Sequence, residues 1–411
     1  MATETLCIIG AGQTGGQAVA TLRQVGYDGR VVLIGAEPHL PYHRPALSNA
    51  VLQSEGGPAH RMFDEAFYDE AGVELRLGRR VARVDLDARV AHVEGGDAVT
   101  WDKLLVATGA APERLGAPGE DLDGVLRLRT LDDAEALRAR LGPGRRFVVV
   151  GGGFIGLQLT ATAHALGCDV TVLEASEHLL HRVAPPEIAG IVRVYHATRG
   201  VRIITEAPAS SFEADDAGRL THVRTGDGRR VPADVAVICC GVQPNTRLAE
   251  EAGLDVDDGI LVDASGRTSH PAVWAAGDCT SYFCPPLNRR VRLESWQNAR
   301  DQATVTARAI AGDASARYDA IPSLFSQQGD MRIELLGVPE RIEQVMLRGR
   351  PWIPDCTAFY LHRGCIVAAV VFNRDGDVDP VRELVRRGAR VHPRVLLDDE
   401  IPLGKVLAEH L

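Results

Sequence analysis

The feature that most constrains this chain is a strand–glycine turn–helix–strand pattern that occurs twice. "TLCIIGAGQTGGQAVATLRQVGYDGRVVLIGAE" runs from an apolar strand through Gly10, Gly12 and Gly15 into a helix and a second strand. "RRFVVVGGGFIGLQLTATAHALGCDVTVLEAS" repeats it with Gly151, Gly153 and Gly156, about 140 residues further on. The first glycine of such a triplet makes the tight turn, and the second lets the backbone approach a diphosphate. The third lets the helix pack on the strand, with its first N–H groups aimed at the phosphates. Each copy therefore predicts a parallel sheet with a nucleotide at its switch point. An acid follows each second strand, Glu37 and Glu174, where a carboxylate suits a ribose hydroxyl pair. At Glu174 it also repels a 2′-phosphate, which favours NAD over NADP.

Each copy is followed by alternating runs with turn signals and then a buried strand, "KLLVATG" in the first half and "VAVICCG" in the second. From Ile321 the texture changes to short alternating strands, "MRIELLGV", "CTAFYLHRG" and "CIVAAVVFN", and a helix, "DPVRELVRRGA". The expected architecture is α/β, with two duplicated Rossmann-like nucleotide-binding domains and a small α+β C-terminal domain. The boundaries read 1–112 with 245–320, 113–244, and 321–411.

Composition narrows the function. The net charge of −10 argues against nucleic acid as the main partner. No run of 18 apolar residues offers a membrane span, and "MATETLCIIGAG" lacks the basic start of a signal peptide, so a cytoplasmic location is expected. The eight cysteines form no C-x-x-C, so neither a redox pair nor a zinc site is signalled and no metal is expected. Cys279 and Cys284, spaced C-x4-C, read as ordinary thiols.

The chain resembles the FAD-dependent ferredoxin reductases that serve Rieske-type oxygenases and bacterial cytochromes P450, a group related to apoptosis-inducing factor. The resemblance runs over nearly the whole length. It rests on "GAGQTGGQAVATLRQVGYDGRVVLIGAEPHLPYHRPALS", "KLLVATGA", "VVVGGGFIGL", "GVQPN", "AAGDC" and "RLESWQNARDQA". It implies that the first glycine turn binds FAD and the second NADH. Carried over by motif, the FAD contacts are Gly10, Gly12, Gly15, Glu37, Arg44, Thr108, Gly109, Asp278, Glu294, Ser295 and Trp296. The NAD contacts are Gly151, Gly153, Gly156 and Glu174. The helix that begins in "ESWQNARDQ" can present its N-terminal dipole to the flavin pyrimidine edge. The helix after the first turn, "TGGQAVATLRQ", has no cysteine, so electrons would leave the flavin directly, for a 2Fe–2S ferredoxin.

Three departures from the family pattern stand out. R-P-P-L-S-K is here "RPALSN", G-L-E is "GLQ", and P-W-F-W-S-D-Q is "PSLFSQQ" (Pro322 to Gln328). The resemblance places Asn49, Gln158 and Phe325 at the working face of the flavin. Losing one member of a buried ion pair strands the other at a cost of about 3–5 kcal/mol, whereas losing both can be nearly neutral. Asn49 and Gln158 therefore read either as a coordinated change or as tolerated drift. The leading expectation is hydride transfer from NADH to flavin and single-electron delivery to ferredoxin, with no side-chain acid or base. The alternative is a repurposed flavoenzyme acting on a small organic substrate, with weak or no dependence on NADH.

Overall fold

The computed structural model describes residues 4–54 and 60–410. Met1–Thr3, where the reading against a signal peptide begins, lie outside the described residues. By packing the chain divides into two compact units. One holds Met1–Pro45, Gly57–Ala111 and Val242–Ala320; the other holds Ala46–Gly56, Pro112–Gly241 and Ile321–Leu411. No described helix is long and apolar enough to cross a membrane.

The first unit is built on a five-stranded parallel sheet, in the order Val273–Ala275, Lys103–Val106, Thr5–Ile9, Arg30–Ile34, Val73–Arg76. The central strand "TLCII" is buried on both faces, as a near-continuous apolar run in a parallel sheet should be. Ile9 lies level with Ile34 on one side and Val106 on the other, so the glycine turn leaves the sheet between two strand ends. The helices Gln13–Gln24 and Trp296–Ile310 pack against each other and cover one face through Ala18, Val19, Leu22, Ala303 and Ala307. The alternating segment forms a three-stranded antiparallel sheet, Val81–Asp85, Val90–Val93 and Ala98–Thr100.

The second unit repeats the plan, in the order Arg202–Ile204, Asp169–Leu173, Arg146–Val150, Val235–Ile238, Val125–Leu126, all parallel. It too has a three-stranded antiparallel sheet, Ala209–Ala214, Leu220–Thr225 and Arg230–Pro232. The C-terminal segment adds a five-stranded antiparallel sheet whose edge strand, Ser323–Gln328, packs on the helix Phe154–Ala165. Polar side chains tie this sheet to the helix Pro186–Ala197. The Tyr195 hydroxyl donates to the Gln328 carbonyl at 2.7 Å, His196 Nε2 meets Gln328 Oε1 at 2.8 Å, and Arg199 pairs with Asp330 at 3.1 Å.

Three details differ from the sequence reading. The segment 46–54 packs with the second unit, because Thr162 Oγ1 donates to the Ser48 carbonyl at 2.8 Å and Arg138 to the Ser54 carbonyl at 2.5 Å. The C-terminal segment does not separate from the second nucleotide domain in this division. The last long helix begins at Asp375 rather than beside Pro380. Asp375 and Asp377 suit its positive N-terminus, and Pro380 removes only one bond, to a carbonyl in the first turn.

Candidate functional site

Both glycine turns have the geometry that the spacing predicts. Gly10 and Gly151 sit at φ +117° and +110°, where a side chain would be strained. A Cβ on Gly10 would lie 2.1 Å from the Ala107 carbonyl oxygen, and one on Gly151 2.5 Å from that of Cys239. A Cβ on Gly15 would lie 2.0 Å from Gly10 O, and one on Gly156 2.1 Å from Gly151 O. The outer glycines are thus demanded by the protein's own backbone. The middle ones are not: Gly12 would meet only Arg44 Nη2 at 3.3 Å, and Gly153 would meet nothing within 4 Å. A middle glycine that no backbone crowds leaves room for a diphosphate to approach the turn. The helices that follow have no side-chain cap and no acid in their first turn, so their positive ends remain available to an anion. Both turns fit a dinucleotide diphosphate.

In the first unit the acid and base of the turn are joined. Glu37 lies three residues beyond its strand, accepting from the Tyr42 hydroxyl at 2.6 Å and from Arg44 Nη2 at 2.9 Å. Burial opposes the Arg44 charge, but Tyr42, Glu37 and Asp278 outweigh it and raise its pKa. Asp278 follows its strand by three residues, in a loop seated by Gln302. Gln302 Oε1 accepts from Gly277 N at 2.6 Å and from Thr280 Oγ1 at 2.9 Å. Thr108 and Gly109 are clamped by Asn245. Its Nδ2 donates to the Thr108 carbonyl at 2.8 Å, and its N–H to that of Gly109 at 2.9 Å. Ser295 caps the helix Trp296–Ile310 by accepting from Asn298 N at 3.3 Å. Glu294 takes Arg292 at 2.5 Å. Trp296 opens the helix with the Arg300 guanidinium 5.0 Å from its ring and the His43 ring 6.2 Å away. All eleven expected FAD residues thus fall in one unit. Gln302 and Asn245 escaped the sequence reading of the site. The "GVQPN" motif was a signal for Asn245, and Gln302 had none.

In the second unit Glu174 directly follows its strand and, among the described residues, accepts from two backbone groups, Gly152 N–H at 2.7 Å and Ser176 N–H at 2.7 Å. At the neighbouring strand end burial pushes the Cys239 thiol up to about 12 and the Cys240 thiol up to about 11. Neither is a thiolate at neutral pH, and both are free.

Asn49, Gln158 and Phe325 also lie in this unit. Gln158, 8% exposed, is on the helix Phe154–Ala165, one turn before Thr162, whose hydroxyl holds the Ser48 carbonyl. Asn49 is the next residue along, and its side-chain oxygen caps the short helix Ala50–Gln53 by accepting from Ala50 N. Among the described residues the two amides do not hydrogen-bond each other. Phe325 is half-exposed on the strand that packs on the Gln158 helix, with the Arg332 guanidinium 5.0 Å from its ring.

Comparison with known proteins places this geometry in a family. Residues 4–303 match the pyridine nucleotide-disulphide oxidoreductase model, and residues 324–407 match the reductase C-terminal model. The ferredoxin–NAD(+) reductase component of the anthranilate 1,2-dioxygenase system of Burkholderia cepacia is 39% identical over 410 residues, covering 99% of this chain and 100% of its own. Putidaredoxin reductase of Pseudomonas putida is 32% identical over 414 residues, covering 99% and 97%. Among solved structures, the ferredoxin reductase for the CYP199A2 system of Rhodopseudomonas palustris superposes with a TM-score of 0.94 at 36% identity, covering 98% of this chain and 100% of that one. Putidaredoxin reductase in its covalent complex with putidaredoxin gives 0.95 at 31%, covering 100% and 99%.

Proposed function

We propose that this chain, which belongs to the pyridine nucleotide-disulphide oxidoreductase family, is the NADH-dependent FAD flavoprotein that reduces the ferredoxin of an oxygenase or P450 system. The observation that carries this is the pair of glycine turns with middle glycines that no backbone crowds, in a chain related end to end to such reductases. FAD, when bound, supplies a ring that accepts a hydride and releases electrons one at a time.

The chain's own residues bind and orient. In the first unit, the uncapped helix N-terminus and Gly12 receive the FAD diphosphate, with Gly10 and Gly15 shaping the turn. Glu37 takes ribose hydroxyls, and Arg44 holds that carboxylate in place. Asp278, Thr108 and Gly109 line the cofactor's path, and Glu294, Ser295 and Trp296 start the helix that faces it. In the second unit, Gly151, Gly153 and Gly156 do the same for NADH, and Glu174 disfavours a 2′-phosphate. Asn49, Gln158 and Phe325 set the surface on which nicotinamide and ferredoxin are received. No side-chain acid or base is required. The protein works in the cytoplasm.

The test is anaerobic addition of NADH to the purified yellow protein. Flavin bleaching, followed by cytochrome c reduction that depends on added ferredoxin, is the expected result. No bleaching by NADH or NADPH would sink the reading. If bleaching is slow, Asn49→Lys combined with Gln158→Glu should accelerate it. An unchanged rate in the double variant removes the two amides as the cause.

A further inference from the structure

We propose that the side-chain amide of Gln13 is a ligand of FAD, donating from Nε2 to an anionic oxygen of its diphosphate. Gln13 opens the first glycine-turn helix and is only 7% exposed. Neither its Nε2 nor its Oε1 has a hydrogen-bond partner among the described residues. A buried amide with both groups unpaired is a standing cost that folding ordinarily removes. Here its position explains its retention. Helical side chains tilt toward the N-terminus, so a first-turn side chain lies over the glycine turn that precedes it.

The neighbouring segment encloses this position. A Cβ on Gly16, one turn along the same helix face, would meet Pro41 Cβ at 2.7 Å and Met62 Sδ at 3.0 Å. At the helix start, Gly12 faces Arg44 Nη2 at 3.3 Å. Residues 41–44 therefore run alongside the helix toward its N-terminus. They are held by a short antiparallel bridge, with Tyr42 opposite Arg61. The flanking bonds are His43 N to His60 O at 2.8 Å and Met62 N to Pro41 O at 2.9 Å. His60, beside this bridge, also has a buried Nε2 with no hydrogen-bond partner among the described residues. The unspent amide of Gln13 thus opens the helix whose uncapped N–H groups suit an anion, beside a Gly12 that no backbone crowds. Arg44 is already committed to Glu37. The amide is the neutral donor that completes the cradle without adding charge.

The inference rests on the reading of the first glycine turn as the FAD site. Its test separates the two. Full-length protein is stripped of flavin and reconstituted, as wild type, Gln13→Leu and Gln13→Glu. The FAD Kd is taken from flavin fluorescence, and Tm is measured with and without FAD. Gln13→Leu should weaken FAD binding about tenfold or more, as loss of a hydrogen bond to a charged group does. Gln13→Glu, of the same shape, should weaken it further by facing a carboxylate to the diphosphate, and it keeps the proposal testable if the leucine variant does not fold. Gln13→Leu should also raise the Tm of the flavin-free protein, since the orphaned amide is gone. A purely structural glutamine would instead lower the Tm of both forms and leave Kd unchanged. Wild-type FAD affinity in either variant overturns the proposal. A wild-type chain that binds no FAD overturns the reading beneath it.

Discussion

The two glycine turns share one backbone plan and differ in what surrounds it. At the first, side chains from several segments crowd in: Arg44 approaches Gly12 and grips Glu37, and Tyr42 holds the other carboxylate oxygen. Gln302 seats the Asp278 loop, and Asn245 clamps Thr108 and Gly109. At the second, Gly153 faces open space and, among the described residues, Glu174 is fixed by two backbone N–H groups. On the proposed reading, the first turn would retain what it binds and the second would let it go. That is the division expected of a resident cofactor and an exchanging coenzyme.

The contrast can be broken where it does not apply, at the third glycines, which touch protein backbone in both turns. Gly15→Val or Gly156→Val would press a side chain into a carbonyl oxygen 2.0 or 2.1 Å from its Cβ. Each should cost about 3 kcal/mol or more, seen in denaturant unfolding as an equal loss at the two sites. Arg44→Leu addresses the retaining turn. It strands Glu37 from a partner 2.9 Å away, in a pair with side chains 21% and 25% exposed. The stability loss should be about 1–2 kcal/mol after discounting for solvent, and the protein should purify with little flavin. Retention of full flavin in this variant would remove the arginine from the explanation. Gly153→Ala addresses the exchanging turn. With nothing within 4 Å, the methyl group should leave Tm unchanged. It should raise KM for NADH about tenfold, equivalent to about 1.4 kcal/mol of lost binding.

The smallest effect at neutral pH concerns the link between the second unit's helix and the C-terminal sheet. Burial, against the opposing pull of the Gln328 hydrogen bond, lowers the His196 pKa from 6.5 to about 4. Between those values the unfolded chain binds the proton and the folded one does not. Stability should therefore be unaffected above pH 6.5 and fall as pH drops toward 4, by up to about 3 kcal/mol. His196→Gln, which keeps a donor toward Gln328, should flatten the slope of Tm against pH. A slope identical to wild type would assign the acid sensitivity elsewhere.

What could be read from the chain beforehand follows the range of the interactions. Gly10, Gly12 and Gly15 announce themselves because the strand, turn and helix they join are contiguous. Glu37 and Glu174 follow because each lies just past the next strand. The doubling of the whole plan was equally legible. Gln302 was not, because its role exists only once the helix Trp296–Ile310 packs beside the Asp278 loop. Nor was the placement of residues 46–54, which depends on hydroxyl and guanidinium contacts from residues 114 and 84 positions away. Pro380 misled the last helix boundary because a proline reads as a helix start, while the first-turn acids that carry the helix further back speak more quietly.

The interleaving of the two units has a consequence for synthesis. The chain passes between them at 45–46, 56–57, 111–112, 241–242 and 320–321. The first parallel sheet needs Val273–Ala275 to complete its edge, and the second unit needs the strand that ends at Phe372. A nascent chain leaving the ribosome therefore carries the first parallel sheet without its edge strand until after the whole second parallel sheet, Val125 to Ile238, has emerged. Early termination before the C-terminal sheet leaves the helix Phe154–Ala165 without the strand Ser323–Gln328 that packs on it.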